Sequence, residues 1–206
     1  MVLDSQRDKA DRILLPMAKR LQHINPNTLS WMAFLCAVFA GVNFWLGTIW
    51  TLLFAFIFLF LNGLLDALDG MVAKMTGKAS IRGDFLDHVL DRYADIFIVG
   101  GIMLSPTYNS VLAFLAIIGV LMTSYLGTQS MAVGAGRDYG GILGRADRLV
   151  ILMLFCLIQM FASSIGYADI SIGDLSLNFI DMAMIIFAVG GNATAIQRAI
   201  RTWRKL

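Results

Sequence analysis

The sequence predicts an all-α integral membrane protein: six transmembrane helices preceded by an N-terminal interfacial amphipathic helix. Composition is the first reason. Of 206 residues, 58% are hydrophobic and only 15% charged, too apolar for an ordinary soluble domain. The second reason is the uneven spread of charge. Residues 24–65, 96–136 and 149–168 carry none, and each gap is long enough for one or two spans at roughly 20 residues per span. The third is the placement of the cations. All sixteen Lys and Arg fall in 7–20, 74–92, 137–148 and 198–205, while the alternate connections near 47–50, 105–110 and 163–178 hold none. The positive-inside rule puts the basic set in the cytoplasm. Both termini then face the cytoplasm, and the number of spans is even.

The elements follow in order. Residues 4–22 place Ile13, Leu14, Met17, Ala18 and Leu21 on one helical face, with Arg7, Lys9, Arg12, Lys19 and Arg20 largely elsewhere, the pattern of a helix lying in a membrane interface. Pro16 is expected to kink it. Residues 1–24 thus form a juxtamembrane unit and 25–206 the six-span domain. The turn His23–Ser30 leads into span 1 (29–46), with Asn27 or Thr28 as cap. Span 2 is expected over 49–65, span 3 over 96–104, span 4 over 111–133, span 5 over 149–162 and span 6 over 179–196. Residues 134–148 read as a glycine-rich basic loop, and the end QRAIRTWRKL as a basic cytoplasmic anchor. Cys36 and Cys156 lie in apolar runs with no His or Cys at metal spacing and read as small core residues. No cleavable signal peptide is expected, because the first twenty residues lack an apolar stretch. Gly100, Gly101, Gly127, Gly190 and Gly191 are expected to allow close helix contact.

Residues 62–95 break the apolar pattern with Asp66, Asp69, Asp84, Asp87, Asp91 and Asp95. Carboxylates at a membrane boundary are costly and mark function. Asp66 and Asp69 are i and i+3 at the lower end of span 2. Asp84, Asp87 and Asp91 share a face of the helix that begins near Ile81. If the two helices are antiparallel neighbours, Asp66, Asp69, Asp87 and Asp91 converge. Oxygen-only ligands select hard divalent cations, and a pair of such ions suits phosphoryl transfer. Gly70 and Ala73 leave room for a substrate at the backbone, and Lys74 places an ammonium near a phosphate. His23 and His88 show no metal spacing with the carboxylates and receive no role. Asp84 reads as a solvated helix N-terminal carboxylate. Arg92 and Asp95 read equally as an ion pair orienting the site or a purely structural one.

The spacing Asp66-x2-Asp69-Gly70-x2-Ala73-Lys74-x8-Gly83-x3-Asp87-x3-Asp91 resembles the signature of the CDP-alcohol phosphotransferases, D-x2-D-G-x2-A-R-x8-G-x3-D-x3-D. Seven of the eight fixed residues match, and Lys74 replaces the usual arginine. The resemblance extends to the six-span plan, the N-terminal helix and the run Asn25–Ser30. It implies an enzyme in which an alcohol attacks the β-phosphorus of a CDP-linked lipid and CMP leaves. It also implies two divalent cations, Mg²⁺ or Mn²⁺, on Asp66, Asp69, Asp87 and Asp91, with Asp91 as general base. Asn27, Thr28, Leu29, Ser30, Gly70, Lys74 and Ser80 match positions that bind the CDP moiety. Lysine at 74 keeps the charge but loses the bidentate fork. A homodimer in the cell membrane, with its active site on the cytoplasmic side, is also implied.

Arg137, Arg145 and Arg148 have two readings. They satisfy the positive-inside pattern, and they suit an acceptor pocket that recognises a phosphate. Phosphate-accepting members of the family resemble the chain at Gly144-Arg145-x2-Arg148. Members using inositol phosphate carry a Lys-x-Arg pair on span 4 where Thr128-Gln129-Ser130 stand here, which inclines the acceptor to glycerol phosphate, with inositol phosphate as the alternative. The general character resembles archaeal members acting on CDP-archaeol. A membrane prenyltransferase would need a second Asp-rich motif. A divalent-cation transporter would need a charged gate on the outer side, and the outer ends of the spans are expected to carry none. Scattered basic residues do not make a nucleic-acid surface.

Overall fold

A computed structural model describes residues 7–136, 138, 140–172 and 175–206, giving only the backbone path at 7–11, 172 and 175. Its helices are α1 (Arg7–Leu21), α2 (Pro26–Leu46), α3 (Ile49–Met75), α4 (Ile81–Leu104), α5 (Ser110–Ala132), α6 (Arg145–Ser164) and α7 (Phe179–Trp203). Two short strands, β1 (Asp169–Ile172) and β2 (Leu175–Asn178), pair antiparallel between α6 and α7.

Five helices, α2, α3, α5, α6 and α7, are long and apolar enough to cross a membrane, and the chain is a multi-pass helical membrane protein. α4 has the length, but Asp87, Asp91, Arg92 and Asp95 fall within its last eighteen residues. The helical membrane class holds, and the short hairpin is a local departure within it. Alternating Ile and Ser in 170–172 and Leu and Ser in 175–177 suit a two-faced ribbon, and Leu177 buries its side chain. This segment was expected to be an outer loop; Asp174 within it lies outside the described residues.

Helix ends follow local chemistry. Asn25, not Asn27 or Thr28, caps α2, its side chain accepting from Asn27 N at 3.0 Å. Pro26 sits at the first helical position, where no N–H is needed. α1 runs unbroken through Pro16, and Ala18 packs with Leu29, Leu68 and Val72. α3 has 27 residues and is about 40 Å long at 1.5 Å per residue, against a hydrocarbon core of roughly 30 Å. It is thus longer than an upright span requires, and its charged residues fall in its second half, from Asp66 onward.

α2 packs between α3 and α4, α5 against α7, and α6 against α3 and α7. Gly41 of α2 and Gly101 of α4 meet backbone to backbone, and a Cβ at either would run into the other helix. Gly119 and Gly191 play the same part between α5 and α7, whereas Gly100 faces open space. Cys156 is fully buried and Cys36 half-buried, both as free thiols.

At the end away from the acidic stretch, Asp181 ties the connections together. Its carboxylate accepts from Asn109 N at 2.7 Å and Asn178 N at 3.1 Å, while Asn178 donates to Thr107 O at 3.0 Å. Gln159 accepts from Phe179 N at 2.7 Å and donates to Ala168 O at 2.8 Å. The expectation that no charge lies in an outer span end fails at Asp181. Its oxygens are spent on backbone N–H groups, so it is a structural clamp.

Candidate active site

α3 and α4 bring the carboxylates together. α4 starts where Gly77, at φ +66°, turns the chain back and Ser80 Oγ accepts from Gly83 N at 3.1 Å. Each of Asp66, Asp69 and Asp87 offers an oxygen within 4.8 Å of the others, and Asp87, His88 and Asp91 form a second such group. Asp87 belongs to both. Like charges 4 Å apart repel by on the order of 4 kcal/mol at an effective dielectric of 20, so the cluster demands cations. Its oxygen donors suit a hard divalent ion. His88 corrects the expectation that neither histidine stands at metal distance from the carboxylates. One turn after Asp84, its Nε2 lies 3.6 Å from Asp84 Oδ1. Asp84 itself is exposed, in the first turn of α4, outside the cluster.

Other side chains orient the acids. Ser30 Oγ donates to Asp69 Oδ2 at 2.6 Å. Arg145 Nη1 lies 2.6 Å from Asp66 Oδ1 and 2.7 Å from Asp91 Oδ1. Arg92 reaches Asp95 at 3.2 Å and Asp91 at 3.4 Å, and buried Arg148 reaches Asp95 at 3.0 Å. Asp95 thus gathers two arginines beside the cluster.

Arg145 and Arg148 were expected on a loop and instead open α6. Asp147 Oδ2 accepts from Gly144 N at 2.9 Å and closes a cap there. Arg137 lies outside the described residues. The preceding loop is pinned to α7: Thr194 Oγ1 accepts from Ile142 N and Leu143 N, each at 3.1 Å, and Arg201 meets Asp138 at 2.9 Å.

A cavity of about 480 Å³ opens beside Asp91, lined by His88, Arg92, Thr123, Ser124, Tyr125, Thr128, Gly144, Arg145, Arg148 and Arg198 among others. Its size is that of a small-molecule site. Arg198, expected in a basic anchor, is buried and donates to Gly140 O at 2.9 Å and Thr123 O at 2.6 Å. A signal existed. Phe187, Gly191, Thr194, Ala195 and Arg198 recur at helical spacing on the buried face of α7, so Arg198 has to point inward.

The positions matched to CDP binding lie on the rim or do other work. Ser80 caps α4 and Leu29 packs in the core. Asn27 lies beside Gly83, while Gly70 and Lys74 are exposed, with nothing within 4 Å of a Cβ built at Gly70.

The sequence profile described as CDP-alcohol phosphatidyltransferase matches residues 23–191. The chain belongs to this family. It is an enzyme of that class, a membrane transferase of phospholipid biosynthesis. The archaetidylinositol phosphate synthase of Pyrococcus horikoshii is 35% identical over 155 residues, covering 74% of this chain and 81% of that protein. The archaetidylinositol phosphate synthase of Methanothermobacter thermautotrophicus is 29% identical over 205 residues, covering 100% and 96%. Crystal structures of the Mycobacterium tuberculosis phosphatidylinositol phosphate synthase share the fold at 19% identity. The one with CDP-DAG bound has a TM-score of 0.70, covering 93% of this chain and 94% of that one. The one with manganese and citrate has 0.71, covering 92% and 88%.

Proposed function

We propose that the chain transfers the lipid phosphoryl group of a CDP-linked lipid, of the CDP-archaeol type, to inositol phosphate, with release of CMP. The observation that carries this reading is the cavity joining Asp91 to Arg92, Arg145, Arg148 and Arg198, a polycationic pocket at the carboxylate that would activate an acceptor hydroxyl. The names of its relatives support the same acceptor. Asp66, Asp69, Asp87 and Asp91 would hold two divalent cations, Mg²⁺ or Mn²⁺, whose charge neutralises the diphosphate and the departing CMP. Asp91 takes the proton from the acceptor hydroxyl. That oxygen attacks the β-phosphorus, and the bond to the CMP oxygen breaks. Ser30 fixes Asp69, and the arginines hold the acceptor's phosphate so that its hydroxyl is aligned.

The CDP moiety is assigned to the rim formed by Asn27, Thr28, Leu29, Ser30, Gly70, Lys74 and Ser80, with Leu29 contributing through its backbone. We further assign α4 as the sixth span, residues 1–24 as an interfacial unit outside the 25–206 domain, the carboxylate end to the cytoplasm, and a homodimer as the working form. Thr128-Gln129-Ser130, where inositol phosphate users carry a basic pair, favours glycerol phosphate as a second reading.

The test offers purified protein a CDP-archaeol substrate with inositol phosphate, glycerol phosphate, inositol or serine, in Mg²⁺ or Mn²⁺, and follows CMP and lipid product. Turnover with inositol phosphate is expected, falling at least about 10²-fold in Asp91→Asn. Turnover with glycerol phosphate alone would select the second reading. Equal rates for wild type and Asp91→Asn would defeat the proposal.

A further inference from the structure

The carboxylates fall into two groups within ligand reach, Asp66–Asp69–Asp87 and Asp87–His88–Asp91. Among the described residues no such group joins Asp66 to Asp91. The guanidinium of Arg145 stands between them, with one nitrogen, Nη1, at 2.6 Å from Asp66 Oδ1 and 2.7 Å from Asp91 Oδ1. Its grip is one-sided, because the buried Nε has no partner. Arg145 also lines two spaces at once: a small one among Ser30, Asn62, Asp66, Asp87 and Asp91, and the large arginine cavity.

We propose that Arg145 is a built-in counter-ion for the second of the two cation positions, exchanged between the carboxylates and the acceptor's phosphate. The inference rests on the two-cation reading above. While Arg145 bridges Asp66 and Asp91, it competes with a divalent ion for the same oxygens. The position built on Asp69 and Asp87 keeps two ligands that Arg145 does not touch at ion-pair distance, so it fills first. An ion bridging to Asp91 displaces the guanidinium, which then needs another anion, since a buried unpaired charge is costly. The neighbouring cavity supplies that anion when a phosphate binds beside Arg148 and Arg198. Linkage makes the effect reciprocal: phosphate tightens the second cation by the same factor as the cation tightens phosphate. The full cation set is then completed only when the acceptor is present.

Mn²⁺ binding to the detergent-solubilised full chain tests this by electron paramagnetic resonance, at buffered free Mn²⁺, with and without inositol phosphate. Wild type is expected to bind one Mn²⁺ tightly and a second more weakly, with inositol phosphate tightening only the second by about tenfold, within the usual range of such couplings. Arg145→Gln should tighten the second Mn²⁺ without phosphate and abolish the response to it. Arg145→Lys should keep a reduced response. The wild-type titration needs no variant, so misfolding of a substituted chain leaves the test intact. Two Mn²⁺ bound with affinities indifferent to inositol phosphate would overturn this inference and leave the two-cation reading standing. Failure of wild type to bind Mn²⁺ would overturn both.

Discussion

Single residues carry most of the chemistry, and their roles separate by what they touch. Ser30 spends its hydroxyl on Asp69, and Ser80 spends its own on the first turn of α4. Gly70 touches nothing that a methyl group would disturb. Gly70→Ala should therefore keep or slightly raise thermal stability, since alanine gains about 0.5–1 kcal/mol over glycine in a helix. If the CDP-lipid lies against that backbone, its KM should rise while the acceptor KM stays put. Unchanged kinetics for both substrates would remove Gly70 from the CDP site. The convergence of Asp66, Asp69, Asp87 and Asp91 was legible because helical spacing puts each pair on one face of its helix. Arg198 was not, because a cation near a chain end looks like an anchor until its helical face is compared with the apolar residues before it.

Elements decide which of these residues meet. α3 and α4 carry the acids, but the arginine wall is placed by α6 and by the loop before it, which hangs from α7. Thr194 is the peg, accepting from two successive backbone N–H groups and donating to Gly190 O at 2.7 Å. Thr194→Val keeps the shape and strands both donors, at roughly 1–3 kcal/mol. Steady-state kinetics should show an acceptor KM raised about tenfold or more with the CDP-lipid KM unchanged; an equal rise in both would mean that the loop serves the whole site. Hydropathy gave the apolar lengths but neither the start of α6 nor the hairpin. The first depends on Asp147 folding back on Gly144 N, and the second on alternation too short to stand out beside apolar runs.

At the scale of the whole molecule, the connections sort into two sets at opposite ends of the bundle. Single cysteines at Thr107 and Lys78, in a background lacking Cys36 and Cys156, should react with a membrane-impermeant maleimide from opposite faces of sealed vesicles. Labelling of both from one face would contradict the assignment of α4 as a span. That the chain crosses a membrane several times was readable from its apolar, charge-free runs, because the bilayer imposes their length. Where the carboxylates fall along the bilayer was not, since the length of a helix alone fixes neither its tilt nor its depth. The Asp181 and Gln159 clamp has a mechanical consequence. It laces the loops at that end to one another through backbone groups, so the two ends of the bundle divide the work: one is held fast by hydrogen bonds, and the other carries the clustered charge.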